Sequence, residues 1–178
     1  MEFSKKTVWV TGASSGIGRA LAASFSGEGA HVILSGRREG ALQDAASGCP
    51  GETMLLPFEA TDYDALPDIV ERATGWRGGV DILVNNAGIS QRSLAIDTDF
   101  EVYRRLMEVD FFAPLRLTQL LLPHFLDRGA GTLVQVSSLA GKIGVPMRTG
   151  YCAAKHALMG YSDALRAENV RRGLTVLT

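Results

Sequence analysis

The stretch TVWVTGASSGIG, residues 7–18, decides the fold class. A short run of β-branched and aromatic residues, Thr7 to Val10, reads as a strand buried on both faces. It passes through a turn with glycines at 12, 16 and 18 into Ile17, Leu21 and Phe25, which have helical spacing. Strand, glycine turn and helix in that order suit the pyrophosphate of a dinucleotide, because the first amides of the helix and its dipole face the anion. The spacing is G-x-x-x-G-x-G, not G-x-G-x-x-G, so Ser14 and Ser15 can offer hydroxyls to phosphate oxygens. Gly12, Ser14, Ser15, Gly16, Ile17 and Gly18 are therefore candidate cofactor-binding residues.

Moving outward, the second strand HVIL (31–34) runs into Ser35-Gly36-Arg37-Arg38. An NAD site usually carries an acid there for the ribose 2′-hydroxyl, and none is present. A guanidinium matches a 2′-phosphate bidentately, so Arg37, helped by Arg38 or Ser14, predicts NADP(H) in preference to NAD(H). The bland alternative is a pair of arginines opening a short helix on a solvated face. Further strands are expected at TMLLPF (53–58), VDILV (80–84), TLVQV (132–136) and LTVL (174–177). Helices are expected at 62–77, after a Thr98/Glu101 capping box that leads into Phe100 and Met107, at 114–128 and at 150–172. Alternation of this kind predicts an α/β fold, a doubly wound parallel sheet with right-handed crossovers. With no repeat and no linker, residues 1–178 form one NADP-binding domain.

Composition narrows the function classes. Lys plus Arg number 18 and Asp plus Glu 19, so the net charge of -1 excludes nucleic-acid binding by bulk charge. At 46% hydrophobic and 21% charged, the 178 residues can bury an ordinary core. Cys49 and Cys152 make no disulfide framework or thiolate site, which favours a reducing compartment, and His31, His124 and His156 lack ligand spacing, so no metal is expected. The opening MEFSKKTVWVTG is too short in apolar residues for a leader or membrane span, and the patch at 120–122 is cut by Gln119 and Pro123. A cytoplasmic protein without membrane contact is expected.

TGASSGIG, Asn85-Asn86-Ala87-Gly88 after the fourth strand, and Tyr151-x-x-x-Lys155 together resemble the short-chain dehydrogenase/reductase family. The stretches NNAGISQRSL, VSSLAGKIGVP and GYCAAKHALMGYSDALRAE are similar to its carbonyl reductases and hydroxysteroid-type dehydrogenases. The resemblance implies a Rossmann-type sheet of order 3-2-1-4-5-6 and hydride transfer between NADP(H) and a ketone or secondary alcohol, in a homodimer or homotetramer. It makes Tyr151 the general acid/base and Lys155 its activator and a ribose ligand. Ser138, thirteen residues before Tyr151, orients the substrate oxygen. Asn86, Ala87 and Gly88 line the cofactor, and Asn85 with Asn86 braces the sheet. The competing readings are a non-catalytic NADP-binding regulator or scaffold, and a dehydratase or epimerase on the same fold.

Independently of any family, residues four apart on a helix lie one above the other. A phenol is a poor base at neutral pH, and a cation about 4 Å away at an effective dielectric near 20 contributes on the order of 4 kcal/mol toward the phenolate, although burial opposes it. Lys155 can supply that charge to Tyr151. Two positions depart from the family pattern. Asp110 replaces the usual asparagine, and joins the candidate catalytic set because its charge would favour a protonated Lys155 while opposing a phenolate. Its bland alternative is a helix residue facing solvent. Glu59 replaces an aspartate that contacts adenine, with the Ala60 backbone able to serve beside it. Family members also continue past the sixth strand with a substrate loop and a last strand, so the sequence is expected to be part of a longer protein.

Overall fold

Strands β1 (Thr7–Thr11), β2 (His31–Ser35), β3 (Thr53–Leu55), β4 (Ile82–Asn85), β5 (Gly131–Gln135) and β6 (Leu174–Leu177) pair in parallel. Their order across the sheet is β3-β2-β1-β4-β5-β6, as expected of this fold class. The computed structural model describes residues 3–178; Met1 and Glu2 of the opening stretch lie outside the described residues. Helices α1 (Gly16–Gly27), α2 (Glu39–Ala46), α3 (Leu66–Gly75), α4 (Phe100–Met107), α5 (Ala113–Asp127) and α6 (Thr149–Asn169) supply the crossovers. Among the described residues no helix is long and apolar enough to cross a membrane.

Alternation along the strands divides the core between the two sheet faces. Trp9, Ile33, Leu83 and Leu133 pack with Val70 of α3 and Leu117, Leu121 and Phe125 of α5. Val8, Val10, Val32, Leu34 and Val84 pack with Ala22 of α1 and Leu42 of α2. The expected burial on both faces holds for β1, β2 and β4. It is incomplete in β5, where only Leu133 and Gln135 are buried, and in the edge strand β3, which is half-buried throughout, and it fails for the edge strand β6, where Leu174 and Val176 are buried but Thr175 and Leu177 are exposed.

Several boundaries differ from the sequence reading, each for a local reason. α3 starts at Leu66, because Pro67 fits only the first turn of a helix. β3 ends before Pro57, which has no amide to donate, although Leu56 and Phe58 still bond to Leu34 and Gly36. β4 starts at Ile82, and Val80 stands outside it with its amide donating to His124 Nε2 (3.1 Å). The Thr98 capping box does not form: Asp99 is the N-cap of α4, and the Thr98 hydroxyl donates back to Leu94 O (2.7 Å). Phe100 is exposed, not packed. α2, absent from the expected helices, follows directly on Arg38, which is its N-cap.

α1 is rotated relative to its apolar stripe. Its fully buried residues are Gly18, Ala22 and Ser26, while Ile17 is exposed and Leu21 and Phe25 only partly covered. Small residues face the sheet because the helix starts directly over the end of β1. Between α4 and α5 the chain makes a π-helical turn, Glu108–Phe112, that buries the adjacent residues Val109 and Asp110. That turn aims Asp110 into the site.

Candidate active site

At the carboxyl ends of β1 and β4 the two strands are locked together. The Thr11 hydroxyl accepts from the amides of Asn86 (3.0 Å) and Ala87 (3.1 Å), and Asn86 Nδ2 donates to Thr11 O (2.9 Å). Asn85 braces the sheet from the other side, donating to Thr118 Oγ1 (3.1 Å). The turn packs tightly on this frame: Gly12 has φ +65, and a Cβ there would stand 2.9 Å from Ala87 Cα. Ser15 caps α1 with no side-chain hydrogen bond, so the first-turn amides of α1 remain available to an anion.

The resulting open groove has a volume of about 400 Å³. Of the predicted cofactor residues, Gly12, Ser14, Ser15, Ile17, Arg37, Arg38, Glu59, Ala60, Asn86, Ala87 and Gly88 line it. Gly16, Gly18 and the two expected cofactor contacts Tyr151 and Lys155 do not; Gly18 lies beneath, where a Cβ would run into the Gly12 carbonyl. Ser14 and Gly36 approach each other, which puts the serine and the Arg37 loop at one end. Phe58, Ile89, Arg105 and Val109 also line the groove and were not anticipated. Exposed amides, two arginines and a floor with no room for side chains fit a dinucleotide.

Lys155 connects this groove to the second motif. It is 5% exposed, its ammonium donates to Val136 O (3.1 Å), and it lies 3.6 Å from where a Cβ on Gly88 would be. Tyr151, partly buried, is one turn earlier on α6, with Lys155 Nζ and the Arg148 guanidinium carbon each 5.8 Å from its ring centroid. Ser138 caps a short 3₁₀ turn (Leu139–Gly141) by accepting from the Ala140 amide (3.2 Å), which leaves the hydroxyl proton free to donate. Its neighbours tie it to α6: Val136 holds Lys155, and Gly141 lies against the Lys155 carbonyl. Cys152 is buried packing, its sulfur accepting from the Val145 amide (3.3 Å).

Asp110 is completely buried, which overturns the solvent-facing alternative. Its Oδ1 accepts from the Ile89 amide (2.8 Å), and the same oxygen would meet a Cβ on Gly88 at 2.9 Å. Lys155 and Asp110 thus flank Gly88 together. Burial pushes the Asp110 carboxyl up, against the opposing effects of Lys155 and the Ile89 amide. Burial pushes Lys155 down, and the Asp110 charge pulls it back up. Substituting Asp110→Asn keeps an acceptor for Ile89 but removes that upward pull, so Lys155 loses its proton at lower pH. The alkaline limb of the rate profile is expected to move to lower pH; an unshifted limb would deny Asp110 this role.

Sequence reasoning missed the brace that seats the start of α6. Gln91, buried, accepts from the Gly150 amide (2.9 Å) and donates to Thr98 Oγ1 (2.9 Å), which also shares a hydrogen bond with Ser93. The Ser93 amide donates to Met147 O (3.0 Å), and Arg148 donates to Ser90 Oγ (2.7 Å). The loop after β4 therefore holds residues 147–150 immediately before Tyr151. A buried glutamine in a polar loop carries no signal of its partner in the sequence.

Residues 6–178 match the family model described as short chain dehydrogenase. The chain is similar to Dehydrogenase/reductase SDR family member 7 of Homo sapiens, 41% identical over 174 residues, covering 94% of this chain and 51% of the relative. It is also similar to Dehydrogenase/reductase SDR family member 7B of Danio rerio, 38% identical, covering 96% and 58% respectively. A solved short-chain dehydrogenase from Streptomyces avermitilis superposes with a TM-score of 0.92 at 37% identity, covering 97% of this chain and 63% of that one. The chain spans about half the length of the curated relatives it matches.

Proposed function

The chain belongs to the short chain dehydrogenase family, and from that premise we propose an NADP(H)-dependent oxidoreductase that interconverts a ketone and a secondary alcohol on a fairly apolar body. One observation carries the reading: the ammonium of Lys155 stands against Gly88, a wall of the dinucleotide groove, so the Tyr151–Lys155 pair adjoins the proposed cofactor site.

The first-turn amides of α1, with Ser14 and Ser15, would hold the pyrophosphate, and Arg37 and Arg38 a ribose 2′-phosphate. Bound nicotinamide supplies or accepts the hydride. Ser138 donates to the substrate oxygen. Tyr151 gives that oxygen a proton in reduction and takes it in oxidation. Lys155, kept in place by Val136 O, would bring a positive charge beside the Tyr151 ring and the Gly88 wall of the groove, where ribose hydroxyls are proposed to bind. A cytoplasmic location and a homodimeric or homotetrameric assembly accompany this proposal, the former because two unpaired cysteines suit a reducing compartment.

The test is to mix the protein with NADPH and a panel of ketones, following the near-ultraviolet absorbance of the reduced nicotinamide and identifying the product. Stoichiometric loss of NADPH with formation of the alcohol is the expected result. Tight NADPH binding without turnover would favour a regulator or scaffold, and a changed product without net cofactor consumption a dehydratase or epimerase.

A further inference from the structure

Arg37 is not a free guanidinium waiting at the end of the groove. Its NH1 lies 3.8 Å from Glu59 Oε2, with both side chains lining the groove. The backbone imposes this meeting, because the Phe58 amide donates to Gly36 O (3.1 Å) and so aligns the residues that follow β2 with those that follow β3. The other carboxylate oxygen is occupied: Glu59 Oε1 accepts from the Thr61 hydroxyl (3.2 Å) and amide (3.4 Å). Oε2 is thereby left toward Arg37.

We infer that Glu59 is a cofactor-discriminating residue: by pairing with Arg37 it competes with a ribose 2′-phosphate for that guanidinium and reduces the preference for the phosphorylated dinucleotide. This rests on the dinucleotide site proposed above. Two effects of the carboxylate have to be compared. It could hold Arg37 ready, which would help the phosphate, or it could neutralise Arg37 and repel the phosphate, which would hinder it. The pair is a loose one, 3.8 Å apart with side-chain exposures of 65% and 40%, so it orders Arg37 little. A 2′-phosphate carries between one and two negative charges at neutral pH and would lie beside both side chains. Repulsion and competition therefore outweigh ordering.

The experiment is a titration of NADPH and NADH, by quenching of protein fluorescence, into the wild-type chain, Glu59→Gln, Arg37→Met and the double variant. Glutamine keeps the length and an acceptor for Thr61 while removing the charge. The ratio of the NADH to the NADPH dissociation constant is expected to rise about two- to fivefold in Glu59→Gln, the range of an exposed ion pair. In the Arg37→Met background the same substitution is expected to leave the ratio unchanged within error. A ratio that stays the same or falls in Glu59→Gln would overturn the inference, as would an equal rise without Arg37. If the wild type binds both nucleotides and these ratios do not move, only the role of Glu59 fails; if it binds neither, the dinucleotide site fails and this role with it.

Discussion

Replacing Gly18 by alanine is expected to lower NADPH affinity by at least about tenfold and to destabilise the fold, although alanine is ordinarily the better helix residue. Gly18 is in the first turn of α1, buried, and a glycine there forfeits about 0.5–1 kcal/mol of helix propensity. Against that gain stands the space. A Cβ on Gly18 would run into the Gly12 carbonyl oxygen and Asn86 Nδ2, and would stand 2.8 Å from the Gly12 carbonyl carbon. The obstruction is backbone and cannot rotate away. Overpacking of this kind costs about 1–3 kcal/mol, so it wins, and relief requires pushing α1 off the end of β1. That movement shifts the amides proposed to hold pyrophosphate and breaks the Asn86 bonds to Thr11 and Gly12.

Gly160 is the internal control. It lies in the middle of α6, exposed, with nothing within 4 Å of the place a Cβ would take. Gly160→Ala should therefore gain about 0.5–1 kcal/mol, a rise of roughly 2 °C in melting temperature for a domain of this size, while Gly18→Ala lowers it. Thermal unfolding and NADPH titration of the two variants decide the matter. If both substitutions stabilise and both leave affinity intact, the tight seat of α1 is wrong.

The contrast between these glycines shows what was legible in the sequence. Strand, glycine turn and helix could be read from TVWVTGASSGIG because each uses a different local preference, and the parallel sheet followed from the alternation of elements, whereas its strand order came only with the family resemblance. The phase of α1 could not be read from apolar spacing. Ile17, Leu21 and Phe25 form the more hydrophobic stripe, yet Gly18, Ala22 and Ser26 are buried, because closeness to β1 selects for small side chains over apolar ones. The π-turn at Glu108–Phe112 likewise defeats a regular helical count, burying Val109 and Asp110 side by side. Arg105 and Val109 could be placed on a helix but not against the groove. Glu59 was legible as a departure from the family's aspartate, whereas its contact with Arg37 depends on how β2 and β3 align.

Tyr151→Phe is expected to reduce turnover by about 10²–10⁴-fold, the usual contribution of a positioned acid or base, while changing NADPH affinity less than about threefold. Phenylalanine preserves the ring and its place near the Arg148 guanidinium carbon and Lys155 Nζ, each 5.8 Å from the centroid, so the local packing and the cation–ring contacts persist. Only the oxygen proposed to transfer the proton is removed. Lys155 itself remains held by Val136 O and flanked by Asp110, hence the groove wall at Gly88 is unaltered. A rate loss with intact binding and an unchanged melting temperature would isolate the chemistry from the fold. The converse substitution discriminates further: Lys155→Met removes the charge beside both the phenol and the groove, so it should impair turnover and weaken NADPH binding together. If Tyr151→Phe retained turnover within tenfold of wild type on the substrate reduced fastest, proton transfer would have to be assigned elsewhere, and the buried Lys155 would be left as a cofactor-binding residue alone.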